Sequence, residues 1–576
     1  MDEKNLGRES VADNAGISRR GFLAGAASAG ALLATASLTA CAPNQAGDDS
    51  DPTGSTGQTE PTGSTGPVDY KAAPAPIGDD QIAETITADV VIIGAGCSGA
   101  IAMNTLALEE DTSVIVLQKE EAPFTHGYAQ AYHHTKAQIE AGGGYLIDPW
   151  DVINYLNRGQ SNNRAKMEVM RNWVNYAPEV GDWMINKFGD REGFGPVILD
   201  PIIEASDEWN YTMPVTHLFL GTLQDSEFQP SLKIVRFLVE EAVESGKVDI
   251  RYKTPAKQLR TDDSGRVIGV IGENEAGEYI LAQAGKGVII CAGDYGNNPE
   301  MRKEYLQHCE GLPAGWSRTT DTGDGILMGY WAGGHIQDGP HCTDAHYDPG
   351  IAVPDYHGTL MPWLRVNIKG ERFSNEDQKY DQLYAQDVLQ PECCHFQVFD
   401  AKWENEWQDM GTGGAMRGDW TVIVPTALEK GDLFVGETLE ELAASMSVPV
   451  DTFVATVARY NELCEKGFDA DFGKQAARMK KVEQGPFYAF KRQASVLCSL
   501  SGLSINEDLQ VLDADDAPIA GLYAAGNSSG DFFGGLVQDM SGPGFSCGRA
   551  FLTGRIAAWR VSGKTREQTP VWESKA

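Results

Sequence analysis

The stretch that decides the fold is Val91–Glu121, "VIIGAGCSGAIAMNTLALEEDTSVIVLQKEE". With Val90 it opens as an unbroken apolar run, Val90–Ile93, the pattern of a parallel strand buried on both faces. Gly94, Gly96 and Gly99 then fill a GxGxxG spacing. The first glycine permits a tight turn, the second lets the backbone approach a pyrophosphate, and the third lets a helix pack on the strand. Cys97 and Ser98 stand at the start of that helix, expected over Ser98–Glu110, whose free N–H groups and dipole attract phosphate. A second strand is expected over Ser113–Leu117. GxGxxG alone is a weak signal, but strand, turn, helix and strand within one unit specify a dinucleotide site.

One position departs from that pattern. The second strand normally delivers an Asp or Glu to a ribose, and here it delivers Gln118. Glutamine offers a neutral acceptor and a donor, a loss of about 1–2 kcal/mol that a large nucleotide interface can absorb. Lys119, Glu120 and Glu121 follow as further candidates for the adenosine end.

The chain has 576 residues, enough for more than one large core, and a formal net charge of −36. Residues 1–41 carry four acids and four bases, so their removal leaves that charge unchanged. A surface this acidic repels phosphate backbones and excludes nucleic acid as a partner. "SRRGFL" (Ser18–Leu23) places paired arginines before an alanine-rich apolar run and resembles a twin-arginine export signal. The run ends in "LTAC", which resembles a lipoprotein cleavage box with Cys41 as the lipidated residue. These features imply an exported protein, lipid-anchored on the extracytoplasmic face of the membrane. Residues 42–85 contain "PTGSTG" twice among Asp, Pro and Gly and read as a flexible tether. Nine cysteines follow Cys41 without CxxC, haem or zinc spacing, so no metal site is expected.

Two later stretches bear on which dinucleotide is held. "KGVIICAGDYGNNPEM" (Lys286–Met301) is another buried strand ending in a glycine turn, and "PIAGLYAAGNSSGDFFGG" (Pro518–Gly535) follows near the C-terminus. An early GxGxxG with a late "GLYAAGN" resembles the two-dinucleotide-fold flavoproteins, which implies FAD as cofactor. From about Ala88 to Ala558 the chain is similar to the FAD-dependent fumarate reductase/urocanate reductase superfamily, which includes 3-ketosteroid dehydrogenases. The resemblance is carried also by "TPAKQLRTDDSGRVIGV", "TGDGILMGYWAGG", "VNIKGERFSNED" and "YNELCEKGFDADFGK". It implies an α/β architecture: a Rossmann-like FAD-binding domain (residues 86–334 and 486–565) with an inserted α+β capping domain (335–485). Cofactor contacts implied beyond the glycine turn are Gln118, Lys119, His126, Ala256, Asp324, Gly526, Asn527 and Ser541. His126 lies close to where some family members attach FAD covalently.

In that family, hydride passes from the flavin to one carbon of an activated C=C bond and an acid protonates the other. The fumarate-type arginines and histidine are missing. Tyr380 stands where the donor arginine is expected, "LCSLSGL" has no histidine before Gly502, Met540 occupies the place of an anchoring arginine, and "GTLMPWLRVN" lacks the Thr-Glu-x-x-Arg run, although Arg365 survives nearby. Each arginine–carboxylate fork lost from a dry pocket weakens dicarboxylate binding by several kcal/mol. A small enoate or enone acceptor is therefore expected, with Tyr380 as proton donor and Arg372 and Glu376 either positioning substrate or relaying a proton, or forming a surface salt bridge. Tyr347, Tyr356, Trp363, Tyr384 and Phe396 read either as a pocket for a flat substrate or as cap core. His341, His346 and His357 read as scattered loop residues. An external electron donor is implied. Two alternatives stay open: a ketosteroid-type dehydrogenase running the reverse reaction, and a non-catalytic flavin-binding lipoprotein.

Overall fold

In the computed structural model, β1 (Ile82–Ile93), α1 (Cys97–Leu108) and β2 (Val114–Leu117) form the expected strand–helix–strand unit. The structure describes residues 69–202, 213–224, 230–315, 317–347, 361–378, 380–410, 419–538 and 544–564. β1 and β2 run parallel with Val90 opposite Val114 and Ile93 opposite Leu117. Three later strands matter for the site: β3 (Tyr279–Ile290), β4 (Phe487–Ser499) and β5 (Pro518–Ala524). β3 lies parallel to β1, and β5 lies parallel to β3. The eight-stranded sheet has the order Gln510–Leu512, β5, β3, β1, β2, Val248–Arg251, and an antiparallel hairpin (Ala256–Thr261, Val267–Glu273) rests against β3.

The helices that frame the site are α1, α2 (Asp324–Trp331), α3 (Tyr380–Asp387) and α4 (Phe545–Val561). α1 is buried from Cys97 to Ala107, because α4 and the helix Pro230–Glu244 pack against it. α4 can come this close because residue 554 is glycine: a Cβ there would lie 2.2 Å from Ser98 O. Gly99 serves the same end within the turn, where a Cβ would lie 2.0 Å from Gly94 O.

A second sheet of five strands has the order Thr343–Tyr347, β4, Cys394–Asp400, Leu364–Val366, with Phe434–Gly436 also paired to β4. Its two apolar cores absorb Phe396 and Trp363, while Tyr384 joins the main core. For these three aromatics the core reading holds. Residues 69–81, within the stretch read as tether, are held in place. Ile77 N–H bonds Gln258 Oε1 at 3.0 Å, and Trp331 Nε1 donates to Lys71 O at 3.0 Å. The strand itself starts at Ile82, also inside that stretch.

The export signal, Cys41, Tyr356, His357, Met540 and Ser541 lie outside the described residues, as do the side chains of His346, Tyr347 and Tyr380. Among the described residues no helix is long and apolar enough to cross a membrane.

Candidate functional site

The glycine turn forms the floor of the site. Gly96 is the N-cap of α1 and supplies no side-chain cap, which leaves the first N–H groups of the helix for a ligand. A Cβ at Gly96 would meet only Phe124 O, at 3.3 Å, so the turn is open on the side that faces a phosphate. Gln118 is 7% exposed and braces this turn from beneath. Its Oε1 accepts the N–H of Ala95 at 3.0 Å, and its Nε2 donates to Ala122 O at 3.1 Å. The neutral residue therefore acts on the nucleotide turn through the backbone. Lys119 Nζ reaches the start of α2, bonding Asp324 Oδ2 at 2.7 Å, Thr322 Oγ1 at 3.0 Å and Thr320 O at 3.1 Å. The residue after the second strand is thereby joined to the "TGDG" turn.

Two thiols meet at the same floor. Cys97 Sγ lies 3.6 Å from Cys547 Sγ on α4 and 3.0 Å from Thr125 Oγ1. Cys547 also reaches His126 O at 3.6 Å, and the His126 ring stands edge-on to Phe124. All nine cysteines after Cys41 are free thiols. Ala256 begins the hairpin strand paired to Gly272.

At the far end of the cradle, β3 ends in Cys291–Gly296 and β5 ends in the turn Gly526–Ser528. Gly293 has φ +80° with nothing within 4 Å of where a Cβ would stand, an open backbone surface for a ligand ring. Beside it Asp294 is buried, its Oδ1 accepting N–H groups of Gly296 (2.6 Å) and Ser499 (3.1 Å). Burial, then the charge of Asp321, pushes its carboxyl up to about 8. Asn527 hydrogen-bonds Asp294 on one side and on the other accepts from Arg549 Nη2 at 2.8 Å. The uncapped helix start, the open Gly293 surface and the glycine approaches fit a dinucleotide with an attached ring.

In the cap, the residues expected to act with Tyr380 form a closed ionic cluster. Arg372 forks onto Glu376 (2.8 and 2.9 Å) and onto Asp469 (3.0 and 2.8 Å). Lys474 Nζ lies 3.3 Å from Glu376 Oε2 and bonds Tyr460 Oη at 2.9 Å. The side chains of Glu376, Asp469 and Lys474 are fully buried. Tyr380 begins α3, four residues past Glu376. His341 is a packed residue: it stacks on Tyr305 at 4.2 Å and lies 2.7 Å from Tyr295 Oη, and burial holds its pKa at about 4.

A family model described as an FAD binding domain matches residues 89–541. The chain belongs to this FAD-binding family. It lies within the FAD-dependent fumarate reductase/urocanate reductase superfamily, and its cofactor is FAD. The vinyl phenol reductase of Lactiplantibacillus plantarum is 26% identical over 508 residues, 84% of this chain and 98% of the relative. The urocanate reductase of Eggerthella lenta is 27% identical over 472 residues, 78% of this chain and 71% of the relative. The open conformation of a flavocytochrome c3 fumarate reductase superposes with a TM-score of 0.66 at 23% identity, covering 84% of this chain and 79% of that one. At that identity the likeness concerns the fold.

As a member of this family the chain is an FAD-dependent oxidoreductase of the fumarate reductase-like kind. The FAD would be held by the α1 N-terminus at its pyrophosphate, and by Gly293 and the Gly526–Ser528 turn at its ring end. Sequence reasoning missed two residues of that ring end, Asp294 and Arg549. A signal existed for the second, since Arg549 is a lone base within the apolar run "GFSCGRAFLTG". Asp294 carried no such mark, because its burial depends on β4, some two hundred residues later in the chain.

Proposed function

We propose that this protein is a reductase that saturates the C=C bond of a small unsaturated acceptor, an enoate or enone in preference to a dicarboxylate. The observation that carries the reading is the FAD cradle together with a similarity spanning nearly the whole of a vinyl phenol reductase. The cap arginine Arg372 weighs against a dicarboxylate, since both edges of its guanidinium are spent on Glu376 and Asp469 and it offers no fork for a second carboxylate.

FAD, when bound, supplies the hydride. The chain's own residues orient the acceptor, exclude water and hold the proton. We assign the proton to Tyr380, whose phenol is neutral at pH 7 and whose backbone opens α3 four residues past Glu376. Glu376 and Arg372 are positioning residues in this scheme and fix the chain leading into α3. The twin-arginine and "LTAC" features support export with a lipid anchor on Cys41, which makes an external electron donor part of the proposal.

Anaerobic reoxidation of the viologen-reduced holoprotein tests the reading. Vinyl phenol, cinnamate-like or urocanate acceptors are expected to restore the flavin absorbance, with fumarate slower than all of them. Failure of every enoate and enone refutes it, and bleaching of the oxidised flavin by a 3-ketosteroid would reverse the direction of the chemistry.

A further inference from the structure

Arg549 is a buried cation with no carboxylate hydrogen-bonded to it or paired with it among the described residues. It is 1% exposed. Its fork donates to neutral acceptors only: Asn527 Oδ1 at 2.8 Å, Ser529 Oγ at 3.3 Å and Ser529 O at 3.4 Å. Its Nε is buried without a partner, and the Phe533 ring lies 5.0 Å from the guanidinium carbon. The nearest acid along this chain of bonds, Asp294, sits beyond Asn527 and makes no bond to the guanidinium. Burying an unpaired charge costs several kcal/mol, and neutral donors could serve the same three acceptors. A net charge kept there implies an anion on the other side of the wall.

The geometry of α4 says which part of the cofactor that wall faces. Cys547 and Gly554 share the helix face that touches the glycine turn, through Cys97 and Ser98. Arg549 is two residues from Cys547, about 200° around the helix. It shares its face with Thr553, whose Oγ1 accepts the N–H of Gly526. Its other neighbours are Cys498 at the end of β4 and Cys342, where the two sheets meet. Arg549 is therefore turned away from the pyrophosphate loop and toward the ring end. Its full burial leaves no open edge for a substrate carboxylate to dock on.

We propose that Arg549 is the counter-charge of the flavin ring, acting from behind the cradle through Asn527. On two-electron reduction the ring takes up two electrons and one proton and gains one negative charge, which a fixed cation in a low-dielectric wall stabilises. Arg549 thus favours the reduced cofactor and holds the Asn527 amide in one orientation. It is a positioning residue, and the inference stands whichever acceptor the enzyme reduces.

The test uses the holoprotein, with electrons from dithionite through a reference dye, and sulfite as an anionic probe of the flavin. Arg549→Gln is expected to weaken the two-electron reduction equilibrium about tenfold, a fall of about 30 mV in potential. Sulfite affinity should fall in parallel, while ADP affinity of the apoprotein stays unchanged. Arg549→Lys, which keeps the charge, should recover most of the potential. Asn527→Asp neutralises the cation in place and should reproduce the fall, so the inference remains testable if Arg549→Gln does not fold. An unchanged potential and sulfite affinity in a folded, flavin-loaded Arg549→Gln variant overturns the proposal. So does a parallel loss of ADP and FAD affinity at constant potential, which would assign the charge to the pyrophosphate.

Discussion

Gln118 Oε1 and the backbone nitrogen of Ala95 are joined by a 3.0 Å hydrogen bond across the first strand–helix turn, and Gln118 Nε2 closes a second bond to Ala122 O. The end of β2 thereby fixes the shape of the loop that takes the pyrophosphate. Gln118→Ala leaves the buried Ala95 N–H without a partner, at about 1–3 kcal/mol, while the carbonyl of exposed Ala122 can turn to water. Gln118→Glu keeps the acceptor but sets a carboxylate against Ala122 O. Both variants are expected to lose FAD affinity and apoprotein stability together, Ala the more; flavin-fluorescence titration and urea melts measure the two. A loss of affinity at full apoprotein stability would show that Gln118 acts on the ribose directly.

The cluster Arg372–Glu376–Asp469–Lys474 holds the cap against acid. For Asp469, burial works against the ionised form, but the Arg372 hydrogen bond and backbone N–H groups outweigh it and hold the carboxyl well below the usual carboxylate range. Glu376 is lowered too: burial opposes, while the Lys474 charge and the Arg372 bond prevail. Carboxyls depressed in the fold stabilise it above their unfolded values near pH 4, and that stability drains away as pH falls below about 4. Asp469→Asn should flatten the acid limb of stability against pH.

Removing Glu376 does more, because it leaves Arg372 and Lys474 as buried cations sharing one carboxylate. Glu376→Ala is expected to cost about 3–5 kcal/mol, read as a lowered urea midpoint. A change under about 1 kcal/mol would place the cluster's anion elsewhere.

Asp294 gives the opposite slope. With its carboxyl raised to about 8 by burial and by Asp321, the fold carries a proton that the unfolded chain has released. Stability should therefore fall as pH rises from about 4 to about 8, by up to roughly 1.4 kcal/mol per unit. Asp294→Asn keeps the shape and removes that titration, so its urea midpoint should decline less steeply between pH 5 and pH 8 than the parent's.

The Lys119–Asp324 pair joins two cofactor turns, but both side chains are over a third exposed. A double-mutant cycle with Lys119→Met and Asp324→Asn should give a coupling under about 1 kcal/mol that shrinks with added salt. A larger, salt-insensitive coupling would mean that the pair is dry in the loaded protein.

Much of this fold could be read in the chain because its signals are local. The apolar run at Val90–Ile93, the glycines at 94, 96 and 99, and the strand Val114–Leu117 fall within one unit, and the observed helix starts one residue before the expected one. "GLYAAGN" likewise ends a strand where expected. What stayed hidden depends on contacts between distant segments. The inward turn of Gln118 needs the loop at Ala95 to fold back over it. The spacing of Arg372 and Glu376 allows a surface salt bridge, but its closure into a buried cluster needs Asp469 and Lys474, about a hundred residues away, which "RFSNED" alone could not show. Trp363 and Phe396 looked equally suited to a pocket or a core until the strands beneath them were in place.

β4 pairs with three other strands of the five-stranded sheet, then runs straight into the cradle, where Ser499 N–H bonds Asp294 and Leu503 N–H bonds Ser528 O. The central strand of the five-stranded sheet, which lies past the expected cap boundary at 485, is thus hydrogen-bonded directly to the ring-end turns of the cradle. Caps cannot be traded between relatives at that seam like interchangeable cassettes, because any graft cut there severs the bonds that shape the flavin end. Changes on the outlying strands and loops of that sheet leave these bonds in place, whereas changes in β4 act on the substrate side and the flavin end together.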